Sequence, residues 1–343
     1  MGRCIPPTLS PFFLALVFLA PTGCKSPDKT QSDPLIQPVT DSPGEDREQP
    51  AASKQPRTVA LVMKTRINPF FLAMEQGARR AEKELGIKLI IGSAADETSI
   101  EQQVAIVKEF IRDKVDAMVI VPGHSEEMIP VAKEARDAGI VLINIDNRFD
   151  VAMSKKLGLT DVPFIGVNNE RGAYLAASYL GEKLTGPTEV AIIGGDPTAV
   201  SAIDRHAGAK RAFDEHEHLE LVADETAHWK IDEAYEVASR VFEAHPNIGA
   251  VFCSNDMMGL GVARYLQEHN KDKVLVASYD NIAEARKAIL EGQLTATIDQ
   301  QANEQGYQGI KAAVRALDGE TLPPETFIDV ALVTAETLEN RQP

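Results

Sequence analysis

The sequence predicts an α/β protein built from two doubly wound parallel-sheet lobes. Three observations carry that prediction. From Thr58 onward, short runs rich in Val, Ile and Leu alternate with amphipathic stretches of helical length, the pattern of βαβ units. The runs are apolar at consecutive positions, as strands covered on both faces must be. They also outnumber what one compact sheet of about six strands accommodates, in a chain of 343 residues that is long enough for two cores.

The elements follow in order. TVALVM (58–63) is the first strand. Asn68-Pro69 opens a helix, with asparagine as cap and proline in the first helical position. The amphipathic stretch Phe71 to Leu85 carries that helix to Gly86. KLII (88–91), a helix from Ser99 to Asp113, AMVIV (117–121), a helix from Glu127 to Ala138 closed by Gly139, and VLINI (141–145) complete a first series. After FIGV (164–167) the pattern restarts with a helix from Glu170 to Leu184, Gly181 falling near its end, and then EVAII (189–193) and LELVA (219–223). A helix from Ile231 to Ala244, AVFC (250–253), a helix from Met257 to Glu268, VLVAS (274–278) and TATID (295–299) follow. The restart divides the lobes near Val167. Cys253, inside a strand, is expected to be a buried and inert thiol.

The segment before Thr58 reads differently. Phe12 to Ala20 is a short apolar run preceded by Arg3, too short to span a bilayer and of the right length for the core of a signal peptide. It ends in Pro21-Thr22-Gly23-Cys24, which resembles the lipobox of bacterial lipoproteins with Pro21 where leucine is usual. That resemblance implies that residues 1–24 form a lipoprotein signal segment cleaved just ahead of Cys24, that Cys24 is lipidated and becomes the first residue, and that the protein is held in the periplasm or cell envelope by its lipid. Residues 25–57 are rich in Pro, Ser, Asp and Gln and nearly free of aromatics. Such a segment cannot bury enough apolar surface to offset its ordering entropy and reads as a disordered tether.

Charge narrows the partners. Lys and Arg number 35 against 51 Asp and Glu, a net charge of −16, which opposes binding to nucleic acid or to anionic lipid. The sequence has no nucleophile elbow, zincin motif, P-loop or dinucleotide fingerprint. The run Asp214 to His218 at a helix end reads as solvated charge rather than as a metal site. No cofactor, metal or catalytic residue is expected, and the chain reads as a monomer.

Open α/β sheets bind ligands beyond the carboxyl ends of their strands, so the residues there are the candidates for function. They are Lys64, Asn68, Phe70 and Phe71 after the first strand, Asp146 and Asn147 after VLINI, and Asn168 and Asn169 after FIGV. Arg205 lies in the loop beyond EVAIIGG, and Trp229, the only tryptophan, follows LELVA. Asn255 and Asp256 follow AVFC, Asp280 follows VLVASY and Gln300 follows TATID. Carboxylates, amides and a guanidinium offer paired hydrogen bonds, and the aromatic rings offer flat apolar faces. That combination suits the vicinal hydroxyls and C–H faces of a sugar. Asn68, Asp256 and Asp280 also suit helix caps, and Asp256 is expected to be mainly structural.

Five segments then carry a family resemblance across residues 58–335: ALVMKTRINPFF, VLINIDN, EVAIIGG with SAIDRHAG, AHPNIGAVFCSNDMMGLGVA, and VLVASYDNIAEARKAILEGQLTATIDQ. The chain resembles the type I periplasmic sugar-binding proteins, and within them the allose-binding branch. The resemblance implies a lobe of residues 58–167 plus 301–328, a lobe of 168–300 plus 329–343, and a three-segment hinge near Val167, Gln300 and Ile328. It also implies that Lys64, Asn68, Asp146, Arg205, Asn255, Asp280 and Gln300 bind the hydroxyls of a small aldose such as D-allose or D-ribose, or a related hexose or polyol. Phe71 and Trp229 would sandwich the ring with Phe70 beside them, and Asn147 stands where ribose binders carry arginine. The implied activity is binding without turnover and delivery to an ABC permease. Two other readings remain at this point: a receptor that presents the sugar-bound form to a sensor kinase or chemoreceptor, and a carbohydrate-active enzyme using Asp146 and Asp280.

Overall fold

The computed structural model describes residues 56–340. The apolar run 12–20, Cys24 and the tether up to residue 55 lie outside them. Six strands form a first sheet: β1 (Thr58–Met63), β2 (Lys88–Ser93), β3 (Ala117–Ile120), β4 (Val141–Ile145), β5 (Phe164–Val167) and β11 (Glu325–Ile328). Their order is β11-β5-β4-β3-β1-β2, and every pairing is parallel. A second sheet has the order β12-β10-β9-β8-β6-β7, from β6 (Thr188–Gly194), β7 (Leu219–Thr226), β8 (Ile248–Cys253), β9 (Leu275–Ala277), β10 (Ala296–Asp299) and β12 (Ala331–Thr334). It is parallel except where β12 runs against β10. In both sheets the strand order reverses beside the first strand of the series, the place where open α/β sheets leave a ligand crevice.

The helices explain the burial of the strands. On the first sheet lie α1 (Pro69–Leu85), α2 (Ile100–Arg112), α3 (Ile129–Asp137), α4 (Val151–Leu157) and α10 (Ala302–Leu317). The second carries α5 (Asn169–Lys183), α6 (Val200–Glu215), α7 (Ile231–Ala244), α8 (Asp256–Glu268), α9 (Ala283–Leu290) and α11 (Ala335–Glu339). With helices on both faces, Val59 to Met63 of β1 and Ala117 to Ile120 of β3 are wholly buried, which accounts for their unbroken apolar sequence. The chain passes between the sheets after β5, after β10 and after β11. Helix α10 follows a strand of the second sheet yet packs backbone to backbone on α1 of the first. A Cβ at Gly77 would fall 1.7 Å from the Asn303 carbonyl oxygen, and one at Gly306 would fall 2.0 Å from that of Met74.

The structure departs from the sequence reading in three places. Arg205 is not in a loop but on the second turn of α6, since VSAIDRHAGAKRAFDE continues one helix. Helices α4 and α9 are too short to show a helical period, and α4 has no buried residue. Strand β11 (ETFI) is mostly exposed, and only Phe327 and Ile328 are apolar, so it lacks the unbroken apolar run of the inner strands.

Candidate functional site

Between the carboxyl edges of the two sheets lies a narrow cavity of about 20 Å³. Ligand pockets usually measure ~300–1,000 Å³, so the lobes as they stand leave room for little more than a water, and they must part to take a small solute between them. It is lined by Lys64, Asn68, Phe70, Phe71, Glu97, Asp146, Ser201, Arg205, Trp229, Asn255, Asp280 and Gln300.

Local sequence places the first-lobe side chains. β1 ends at Met63 and delivers Lys64 to the cavity. Asn68 caps α1, its Oδ1 accepting from the Phe70 amide at 3.0 Å, while its Nδ2 donates to Glu97 Oε1 at 2.9 Å. Pro69 then starts the helix and sets Phe70 and Phe71 edge to face at its first turn, with centroids 5.1 Å apart. Lys64 Nζ stands 4.0 Å from Glu97 and 3.9 Å from Asp146. Asp146 leaves β4 with φ 64°, a left-handed conformation that costs energy in most residues and collects at functional sites. Its carboxylate accepts no hydrogen bond of 3.5 Å or less from any described residue, although the residue is only 5% exposed.

The second lobe holds its groups more tightly. Arg205 donates from Nε to Asn169 Oδ1 at 2.8 Å, from Nη1 to the Ser254 carbonyl at 2.9 Å, and from Nη2 to Gln300 Oε1 at 3.3 Å. Its guanidinium lies 3.8 Å from the Tyr279 ring centroid and 3.6 Å from Asp280 Oδ1. Gln300 Nε2 donates to that same carboxylate oxygen at 2.6 Å. Asn255 caps α8 by accepting from the Met258 amide at 2.8 Å and donates to the Trp229 carbonyl at 3.2 Å. Trp229 and Asp280 also have positive φ, 69° and 124°. The indole rests on bare backbone: a Cβ at Gly195 would lie 2.2 Å from its ring.

Phe71 and Trp229 border the same space, because Lys64 Nζ is 5.9 Å from one ring centroid and 5.5 Å from the other. Burial pushes the carboxyls of Asp146, Glu97 and Asp280 above the usual carboxylate range; Lys64 opposes the shift at Asp146 and Glu97, and Arg205 opposes it at Asp280. Such acids gain from hydroxyl donors, since hydrogen bonds to the charged form offset desolvation.

Of the strand-end candidates, the structure brings all but Asn147, Asn168, Asn169 and Asp256 to the cavity. Asn147 is fully buried behind it. Its Nδ2 donates to the Pro122 carbonyl at 2.8 Å, and its Oδ1 accepts from the Ser201 amide at 3.1 Å, so its amide is already occupied by protein. Asn168 caps α5, and Asn169 orients Arg205. Asp256 lies off the cavity and accepts from Thr297 Oγ1 at 2.6 Å and the Ile282 amide at 2.8 Å. The sequence reading missed Glu97 and Ser201. Glu97 lies in the loop beyond the end of β2 at Ser93, several residues past the strand's last residue rather than directly after it. Among the described residues no group of three or more His, Cys, Asp or Glu is placed to hold a metal, and no helix is long and apolar enough to cross a membrane.

Two parallel-sheet lobes that close polar groups and aromatic faces around one small cavity define a solute-binding protein. Residues 59–321 match the periplasmic binding protein domain, and the chain belongs to that family. It is 40% identical over 293 residues to the D-ribose/D-allose-binding protein of Pseudomonas aeruginosa, covering 82% of this chain and 90% of that one. It is 34% identical over 283 residues to the D-allose-binding periplasmic protein of Escherichia coli, covering 80% and 91%. An ABC transporter solute-binding protein from Actinobacillus succinogenes, solved with bound D-allose, superposes with a TM-score of 0.79 at 34% identity, covering 83% of this chain and 99% of that one.

Proposed function

We propose that the protein captures a small neutral aldose, D-allose, D-ribose or a near relative, in the cavity between its lobes and delivers it to an ABC permease. One observation carries this reading: charged and amide groups converge from both lobes on a space bordered by Phe71 and Trp229. Lys64, Asn68, Asp146, Arg205, Asn255, Asp280 and Gln300 would bind hydroxyls, joined by Glu97. Phe71 and Trp229 would cover the ring's apolar faces, with Phe70 behind. Opposing charges in the cavity suit a neutral solute, since a phosphorylated one would meet three carboxylates. The sugar touches both lobes only when they meet, so binding favours the closed form and presents one composite surface to the permease. A lipid on Cys24 would hold the protein at the membrane.

The test is calorimetric titration of protein unfolded and refolded to strip carried-over ligand. D-allose, D-ribose, D-galactose, D-glucose and myo-inositol form the panel. Saturable 1:1 binding of at least one sugar at about micromolar affinity, roughly −8 kcal/mol, is the expected result. No heat with any of them overturns the reading. Mass spectrometry of the mature protein tests the anchor: a diacylglycerol-modified Cys24 as first residue supports it, and an unmodified cysteine or a different first residue refutes it.

A further inference from the structure

The N-terminus of α6 lacks a cap of its own. Its N-cap residue is Ala199, whose side chain has no acceptor, and helix starts need such acceptors for their free amides. The opposite lobe supplies them. Ser125 Oγ accepts from the Val200 amide at 3.0 Å, and Asn147 Oδ1 accepts from the Ser201 amide at 3.1 Å. The Ser125 amide in turn donates to the Thr198 carbonyl at 3.1 Å. Asn147 is fully buried and Ser125 is 2% exposed.

The first-lobe half of this contact is held in place. Asn144 Nδ2 donates to the Asn147 carbonyl at 2.8 Å, and Asn144 Oδ1 accepts from the Phe149 amide at 2.9 Å, which fixes the turn after β4. Asn147 Nδ2 donates to Ser125 Oγ at 3.2 Å and to the Pro122 carbonyl, joining two loops of one lobe into a single acceptor surface. The helix it caps carries Ser201 and Arg205 into the cavity.

We infer that Asn147 and Ser125 form an interlobe latch that caps α6 in trans and sets how firmly the lobes close. These are positioning residues: they touch no cavity surface, and they act by making the closed form worth more than the open one. Opening exchanges these three interlobe hydrogen bonds for bonds to water, so the latch slows release of whatever the cleft holds. The inference deepens the proposed sugar-binding reading and rests on it.

Val200→Pro tests the latch from the lobe that does not contain it. Proline is favoured at the first helical position, and Ala199 is already extended (φ −98°, ψ 124°), so the helix is kept while the amide that Ser125 accepts is lost. Val200→Pro and Asn147→Ala should each weaken every sugar the wild type takes by the same factor, roughly tenfold. The loss should lie in faster release, and free Val200→Pro should melt like wild type. Unchanged affinity, or losses that differ from sugar to sugar, would overturn the latch, the second by placing Asn147 on the ligand. If the wild type binds no sugar, the proposed function falls and X-ray scattering of the free protein decides the latch. A larger radius of gyration in Val200→Pro than in wild type upholds it, and identical curves overturn it.

Discussion

The two halves of the cavity are made of similar residues but prepared differently. In the second lobe Arg205 makes three hydrogen bonds, stacks on Tyr279 and faces Asp280, which Gln300 also holds. In the first lobe Lys64 lies 3.9 and 4.0 Å from its two carboxylates, beyond hydrogen-bond range, and Asp146 has no other charged neighbour that close. One half is a platform largely paired within the protein, although the buried hydroxyls of Ser254 and Tyr279 beside Arg205 have no partner among the described residues. The other holds buried charge on Lys64 and Asp146 whose hydrogen bonds are not made by any described residue, and those are what a ligand hydroxyl can supply. Affinity should therefore come mainly from the first lobe, while order in the cleft comes from the second.

Removing the centre of the platform should have the largest effect. Arg205→Ala leaves Asp280 buried without its counter-charge and frees three acceptors at once. Loss of one partner from such a buried network costs about 3–5 kcal/mol. Sugar binding should fall below detection in calorimetry, and the melting temperature should fall with it. Arg205→Lys should not rescue binding, because an ammonium cannot serve three acceptors in the plane of a guanidinium fork. A variant that binds normally and melts normally would erase the distinction between the halves.

The first lobe should separate affinity from stability. Asp146→Asn keeps a residue that tolerates the left-handed backbone but removes the buried charge. Affinity should drop by about 2 kcal/mol, roughly thirtyfold. The free protein should melt at the same temperature or higher, because burial disfavours the ionised carboxyl. A loss of stability like that of Arg205→Ala would show the first lobe to be as interlocked as the second.

The contrast between the halves was not legible in the sequence, although most of the residues were. Strands and long helices show in the sequence because burial on both faces writes an apolar run, and one-sided burial writes a helical period. The strand-end rule then finds Lys64, Asp146, Trp229 and Asp280 from position alone. It does not report what each side chain touches. Asn147 follows β4 as directly as Asp146 does, yet the backbone turns one side chain into the cavity and the other toward α6. Arg205 is found from position although the sequence places it in the loop before the helix that ends at Asp214 rather than on that helix. The sparse apolar pattern of SAIDRHAGAK hides the helical period, because α6 packs with small residues, Ala202, Gly208, Ala209 and Ala212. Gaps of that kind open where packing is made by backbone rather than by large side chains.

An intermediate effect is expected where the platform supports a ring instead of a charge. Gly195→Ala places a methyl 2.2 Å from the Trp229 ring, and the indole must shift because the backbone behind it cannot. Gly195 does not line the cavity, so any loss is transmitted through Trp229. Roughly tenfold weaker sugar binding is expected, in line with ~1.5 kcal/mol for a displaced aromatic face. Quenching of the single tryptophan's fluorescence by sugar should shrink along with it. If Gly195→Ala binds as wild type, Trp229 is not a wall of the sugar site.

The smallest effect on affinity, with a clear effect on stability, is expected just outside the cavity at Asp256. It accepts hydrogen bonds from Ser278, Thr297 and the Ile282 amide, but burial dominates and pushes its carboxyl from 3.8 up to about 6. The folded protein therefore binds this proton more strongly than the unfolded chain does. The stabilising contribution of the group is complete below pH 3.8 and is lost as pH rises through about 6. Asp256→Asn removes that titration, and the amide can still accept from Ile282 while both hydroxyls turn to accept from it. Denaturant melts should show a shallower fall in stability between about pH 4 and 7 than in wild type, with sugar affinity at neutral pH changed by no more than about twofold. Identical pH profiles in variant and wild type would mean that Asp256 ionises as if exposed. The order of the second lobe would then rest on Arg205 and its acceptors alone.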